Sequence, residues 1–527
     1  MRIADLAATV TSPLDGRDRR VEAAAPVSDE RRRSSLIEEH TRALIRAHAE
    51  RHGESPADDL ALAGWLAAWD GAIAEAEESL LAALAVDPGH GPARYALGQV
   101  RWWQDRHDEA VACLAPVAAD RWAGWSAHWM LGAVHQDMGD DAAAERHLRR
   151  ALAAEPDKDN PAAAMSLASI ALRRGDLRRG WGLHEARKRH PMWAPTIRSR
   201  VAPRLPRWTG RASLRGKTLA LPAEDGLGDK ILHARFLGPL AARARAEGGA
   251  VRVETSAPLV PLLAASIPGD AEIVEYGCVP ERAPDTWIEP ESLPHVFGTT
   301  VEDIPPCPYL RAAPADVEHW RARLPLDRGR LNVGLVWAGG HPRAERPADD
   351  RAGKSYLRNV PLAALEPLAR VPGVRWFALQ KGDNEDDPAP PGMDLLRLGP
   401  SLRDFGDTAA VASLLDVIVT VDTSVANLIG GLGLPGLVLL PKAADWRWMT
   451  GPTTPWFPTL ELFRQEHHGD WSAPVARVAD ALRRLAASRA VEPANLGALP
   501  LVGLRGIDEH GAFVSWLPER AAISTTA

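Results

Sequence analysis

Cysteine is nearly missing. The 527 residues hold three, Cys113, Cys278 and Cys307, far apart in the chain. They have no metal-ligand spacing and cannot build a disulfide framework, which fits a reducing compartment. No apolar run reaches the ~18 residues that span a bilayer. The opening Met1-Arg-Ile-Ala-Asp-Leu6 lacks the basic-then-apolar order of a signal peptide. Positive charge is not in excess: the net charge of -7 argues against a nucleic-acid footprint. These absences predict a cytoplasmic protein with no transmembrane segment and no nucleic-acid partner. Tyrosine (4) and phenylalanine (7) are scarce beside 19 tryptophans, so aromatic packing falls chiefly to Trp. The tryptophans at 446–456 suit either stacking on a sugar or base or burial in a core.

The length accommodates about three domains. Residues 1–35 are polar, mixed in charge and end in Arg31-Arg32-Arg33, and read as a disordered leader. Residues 36–190 carry a repeat. Gly64, Gly98 and Gly132 are 34 apart, as are Ala76, Ala110 and Ala144. Pro88 and Pro156 stand two such periods apart, and Leu97-Gly98 recurs as Leu131-Gly132. A 34-residue period with a small residue in each of two helices is the tetratricopeptide (TPR) pattern. Small residues at the crossing let paired helices approach, and each pair needs a neighbour to bury its face. Such arrays present a surface for peptides or partner proteins, or serve only to support the domain they precede. The Pro- and Arg-rich stretch 191–215 reads as a linker.

From Gly216 the composition changes to short β-branched runs alternating with helical patterns, which predicts two α/β units, 216–325 and 326–490, before a tail over 491–527. In the first, Lys217–Leu221 reads as a strand, Glu224–Asp229 as a Gly turn, and Ile231–Ala246 as an amphipathic helix. In the second, the informative stretch is Asp416–Gly433. Its apolar run reads as a buried parallel strand, and Asp422-Thr423-Ser424 as the start of a helix. A strand feeding a helix leaves free backbone N–H groups at its carboxyl end, where ligands of open α/β sheets bind. The same three residues also make an ordinary helix cap. A helix end stabilises an anion by about 0.3–1 kcal/mol, or ~2 when partly buried. Micromolar binding needs ~8 kcal/mol, so a cation must join it; Lys354, Arg358 and Lys381 follow strand ends in the same unit.

Taken jointly, Glu224-Asp-Gly-Leu-Gly-Asp229, Gly334-Leu-Val-Trp-Ala-Gly339, Leu379-Gln-Lys-Gly382, Val421-Asp-Thr-Ser424 and Asp445-Trp-Arg-Trp448 resemble loops of the heptosyltransferase-like glycosyltransferases, family nine of the inverting enzymes. The likeness runs over about 60–490 and is nearest to the bacterial group in which TPR repeats precede such a domain. It implies a GT-B fold of two Rossmann-like halves, so that the fold class is an α-solenoid followed by α/β, with the acceptor on the first half and the nucleotide sugar on the second. It implies transfer without metal or cofactor, the nucleotide sugar being a co-substrate. Asp229 matches the family's proposed base, alternatively a first-turn carboxylate facing its own helix. Gly226 and Gly228, in the same loop, are implied among the nucleotide-sugar-binding residues. Asp422, Thr423 and Ser424 match the donor-phosphate and sugar loop, and Gln380 and Lys381 a loop near the nucleotide. The family's charged position falls on Arg358, with Lys354 as the alternative. One departure is Asn427, where the family has His. Asn can donate a hydrogen bond to a phosphate oxygen but carries no charge, which bears on neutralisation of the leaving diphosphate.

The resulting expectation is an inverting glycosyltransferase whose repeats select an acceptor, a protein or peptide. Two alternatives stand beside it: a non-catalytic adaptor with a degenerate transferase domain, and a transferase acting on a lipopolysaccharide-type saccharide.

Overall fold

The computed structural model describes residues 42–120, 124–154, 160–190, 205–223, 226–267, 269, 271–279, 282–339, 358–491, 505–507 and 513–515. The expected leader, Pro156, Lys354 and most of the tail lie outside them. After a helix over 42–52, eight helices follow in hairpins: α1 (Asp58–Trp69), α2 (Ile73–Val86), α3 (Gly91–Trp103), α4 (His107–Ala119), α5 (Gly124–Asp137), α6 (Asp141–Ala154), α7 (Pro161–Arg173) and α8 (Leu177–His184). The 34-residue period has a direct steric cause. A Cβ on Gly64, Gly98 or Gly132 would lie 2.8, 2.6 and 2.6 Å from Cγ of Leu80, Leu114 and Leu148, themselves 34 apart. The same glycines face the backbone carbonyls of Ala76, Ala110 and Ala144. Successive repeats are also tied by hydrogen bonds across one period, as from Trp65 Nε1 to Gln99 Oε1 at 3.1 Å.

Gly98→Ala therefore sets two effects against each other. Helix propensity would gain about 1 kcal/mol, but forcing a methyl into a packed crossing costs about 1–3 kcal/mol. The clash wins, and the melting temperature should fall. Gly182, in α8, has nothing among the described residues within 4 Å of a built Cβ, so Gly182→Ala should raise it. Equal shifts for the two substitutions would remove the crossing as the cause of the repeat.

Three histidines meet between α5 and α6. His128 Nδ1 lies 3.2 Å from His147 Nδ1, and the His135 and His147 rings stack with centroids 5.5 Å apart. Burial, then the neighbouring His128 and His135, pushes His147 down to about 4. A histidine kept neutral by the fold contributes stability above its ordinary pKa of 6.5, and that contribution is lost as pH falls from 6.5 toward 4. The thermal midpoint should drop over that window, and His147→Phe should flatten the slope. An unchanged slope in the variant would show that His147 does not carry it.

Two parallel sheets follow. The first is four-stranded with order β3-β2-β1-β4, from β1 (Thr218–Leu221), β2 (Ala250–Thr255), β3 (Glu272–Glu275) and β4 (Thr286–Trp287). The second is six-stranded with order β10-β9-β8-β5-β6-β7, from β5 (Leu331–Val336), β6 (Val374–Ala378), β7 (Leu395–Arg397), β8 (Val417–Val421), β9 (Gly436–Leu440) and β10 (Leu460–Arg464). In each, the chain works outward from a central strand and then returns to that strand's other side. The switch points fall between β1 and β4 and between β5 and β8, where open α/β sheets bind ligands. Side-chain alternation splits the second sheet's core. Val417, Val419 and Val421 join one cluster with Val475, Val478 and Leu482 of a helix over Ser472–Val491. Ile418 and Val438 join another with Ala426, Leu428 and Ile429.

Several elements differ from the expectations. The helix after β1 begins at Leu227, four residues early, and is interrupted by a 3-10 turn over Ala234–Phe236. It therefore has two parts, α9 (Leu227–His233) and α10 (Leu237–Ala246). Gly226, in extended conformation, is its N-cap. Gly228 and Asp229 accordingly sit in the first helical turn and not in a loop. The stretch read as a linker packs at its end: Trp208 N donates to Trp287 O at 2.7 Å, and Trp208 is 2% exposed. In the tail, Arg505–Ile507 pairs with Phe513–Ser515 as an antiparallel ribbon. The strand β7 was not anticipated; it is three residues long with no alternation to mark it.

The end of the repeat array is part of the α/β core. Leu172, Leu177 and Trp181 share a cluster with β1, β2 and residues of the second half. Trp181 stands against Trp446 at 5.1 Å and Trp456 at 6.2 Å between ring centroids. Trp448 and Trp456 are fully buried, which settles these two tryptophans as core residues.

Candidate active site

The site forms where the two switch points face each other. At the end of β8, Val421 leads into Asp422 and Thr423, and the chain turns into α11 (Ser424–Gly431). Thr423 is the N-cap, its Oγ1 accepting from Val425 N at 3.2 Å. The loop after β5 comes close: a Cβ on Gly339 would lie 2.8 Å from Thr423 Cγ2, so only glycine fits there. From the first half, α9 approaches α11, and a Cβ on Gly228 would lie 3.1 Å from Asn427 Nδ2 and 3.6 Å from Ser424 Cα. The expected glycine thus permits the two halves to touch.

Arg447 holds this seam. It follows β9 in the loop that carries Asp445-Trp-Arg-Trp448, within a 3-10 turn capped by Asp445. Its Nε donates to Asp445 Oδ1 at 2.7 Å, its Nη1 to Asn427 Oδ1 at 3.2 Å, and its Nη2 to Asp229 Oδ1 at 2.5 Å. Arg447 is 8% exposed, whereas the Asp229 side chain is 33% exposed. Burial raises the Asp229 carboxyl, but the Arg447 charge and hydrogen bond outweigh it and hold the group below the usual carboxylate range. Asp422 goes the other way: burial and the neighbouring Asp445 push it up, against the pull of Arg358 and Arg447. Arg358 acts on both Asp229 and Asp422. Two carboxylates of one cleft are thereby driven apart, the pattern of sites that divide acid–base tasks. Burial also keeps His233 neutral, with a pKa of about 4. Its Nδ1 donates to Asp229 O at 2.9 Å.

Of the residues anticipated from the sequence, Gly226, Gly228, Asp229, Arg358, Asp422, Thr423, Ser424 and Asn427 are gathered here. Gln380 and Lys381 bond to backbone of the second half. Gln380 Oε1 accepts from Trp337 N at 3.1 Å and Ala338 N at 3.0 Å, fixing the loop after β5. Lys381 Nζ donates to Gly399 O at 3.1 Å and Leu402 O at 2.6 Å. Asn427 differs from its expected part. It is 1% exposed, its Nδ2 donates to Thr423 O at 3.0 Å, and its Oδ1 accepts from Arg447. In these contacts it positions the Arg447 guanidinium beside the turn into α11. Arg447 was the residue not singled out, although it stands inside a quoted motif; its place in a loop after a parallel strand was the signal.

Among the described residues no helix is long and apolar enough to cross a membrane. Comparison with known proteins gives two kinds of likeness. Protein FlbA of Caulobacter vibrioides is 29% identical over 349 residues, which are 61% of this chain and 55% of that protein. The chain thus spans about half the length of the curated relative it matches. The solved structure of E. coli ADP-heptose lps heptosyltransferase II is 14% identical with TM-score 0.36, covering 52% of this chain and 99% of that one. The glycosyl transferase family 9 structure from Veillonella parvula is 10% identical with TM-score 0.35, covering 54% and 99%. Residues 70–133 match the family model for the tetratricopeptide repeat; the chain carries tetratricopeptide repeats in its N-terminal region, ahead of two parallel-sheet α/β halves.

Proposed function

We propose that the chain is an inverting, metal-independent glycosyltransferase that moves a sugar from a nucleotide sugar to an acceptor chosen with the help of its repeats. The observation that carries this reading is the seam itself: a partly exposed Asp229 carboxylate on one half, set against the Asp422–Ser424 turn and Arg447 on the other. In this reading the donor lies on the second half, its diphosphate near Thr423 and Ser424 N–H groups and the guanidiniums of Arg358 and Arg447. The acceptor hydroxyl enters from the first half. Its oxygen attacks the anomeric carbon, the bond from that carbon to the phosphate oxygen breaks, and the diphosphate leaves with the electron pair. The hydroxyl proton passes to Asp229. Asp422, raised by burial, offers a hydrogen bond to a sugar hydroxyl.

The adaptor alternative draws on the same contact, because Asp229 and Arg447 neutralise each other as they stand. A thermal-shift series of the full chain against nucleotide sugars separates the two. The transferase reading expects one donor class to raise the melting temperature. No shift with any donor would move the assignment to a non-catalytic partner-binding protein.

A further inference from the structure

Arg447 is anchored from its own half. Its backbone N and Nε both meet Asp445 Oδ1, at 3.1 and 2.7 Å, its carbonyl accepts from Thr454 Oγ1 at 2.6 Å, and its Nη1 rests on Asn427 Oδ1. Its guanidinium also stands 5.3 Å from the Trp446 ring centroid. Removing Asp229 would leave all of these in place. The Asp229 contact is the single one of these hydrogen bonds that crosses to the first half. A guanidinium has five N–H donors, and three are engaged among the described residues, which leaves one on each terminal nitrogen. That is the fork by which arginine takes a phosphate in two bonds.

The charges around it make this contact a competition. Asp229, Asp422 and Asp445 face Arg447 and Arg358, with His233 kept neutral by burial. Asp229 is bonded directly to the Arg447 guanidinium, so an incoming diphosphate competes with that carboxylate for it. We propose that Arg447 is the cation that receives the donor's diphosphate, and that it is released to do so by giving up Asp229. This rests on the transferase reading above and adds an order to it. Donor binding withdraws the guanidinium from Asp229, and only then is the carboxylate free to take the acceptor's proton. Before donor binds, the base is masked by the group that will hold the leaving diphosphate, so an acceptor arriving first meets a neutralised pair. Asn427 belongs to this device as the neutral acceptor that keeps Arg447 aimed when Asp229 lets go.

The test uses nucleoside diphosphates (UDP, GDP, ADP, CDP and dTDP) titrated calorimetrically into the full chain. Asp229→Asn should tighten the binding of the preferred diphosphate by threefold or more, because a competing anion is gone. Arg447→Gln should weaken it tenfold or more. A structural ion pair would give no gain in affinity on losing its carboxylate, so the Asp229→Asn arm is decisive even if Arg447→Gln does not fold. Diphosphate binding to the wild type that is unchanged or weakened in Asp229→Asn overturns this inference alone. If neither a diphosphate nor any nucleotide sugar binds the wild type, the transferase reading falls and this inference with it.

Discussion

Replacing Asp229 by Ala is expected to lower sugar transfer by about 10²–10⁴-fold with the fold intact. Arg447 keeps Asp445 and Asn427, so the variant leaves no buried guanidinium unpaired, and its melting temperature should stay near that of the wild type. Turnover is the measurement, with circular dichroism as the control. An unchanged rate would remove Asp229 from the chemistry and leave it as a contact between halves. Because Arg447 holds Asp229 below its ordinary value of 3.8, the carboxylate stays ionised throughout neutral and mildly acidic pH. This holds for the donor-free protein, so kcat/KM for the donor should show no loss from protonation of Asp229 until pH falls below that value. A carboxylate so strongly paired is a weak base, which is why release of Arg447 by the donor matters to the rate.

Arg187→Met should destabilise the chain strongly, away from the site. After α8, a 3-10 turn over Glu185–Arg189 packs its charged side chains against the first half. Arg187 is 3% exposed and meets Glu185 at 3.0 Å, Glu291 at 3.3 Å and Ser292 Oγ at 2.9 Å. Glu289, 2% exposed, is paired with Arg207 and Lys188 in the same network. Glu185 would keep Lys188, Arg207 and Ser292, but the buried Glu291 would lose its guanidinium, and removing one partner of a buried ion pair costs about 3–5 kcal/mol. Arg187→Met keeps the stem's packing, so the loss would report charge and hydrogen bonding. The denaturant midpoint of the full chain is the measurement. A midpoint within experimental scatter of the wild type would show the carboxylates to be hydrated or protonated without Arg187. The network also ties the repeats to the first half, so the variant should loosen that junction first.

How much of this was legible in the residues depended on distance along the chain. The 34-residue period was plain because Gly98 and Leu114 meet within one repeat, and every repeat restates the contact. The turn from β8 into α11 was plain because strand, cap and helix are contiguous. The glycines at 226 and 228 were visible, but their purpose was not. Gly228 is small because Asn427, about 200 residues later, packs on it. Arg447 escaped for the same reason: its partners Asp229 and Asn427 lie in other elements and on both halves. Lys381 looked like a ligand-facing cation because charge after a strand end is all the sequence displays. The carbonyls of Gly399 and Leu402 that engage it belong to a later turn. The aromatic and ionic junction of the array with the first half was hidden too, since Trp181 and Arg187 read as ordinary members of a helical repeat.

The most direct trial of the account follows nucleoside diphosphate released from a panel of nucleotide sugars, with wild type and Asp229→Ala side by side and a bacterial protein extract as the source of acceptor. The account predicts one donor class from which the wild type releases diphosphate, faster with extract than without, while Asp229→Ala releases almost none. Release from no donor, or equal release by both proteins, would contradict it.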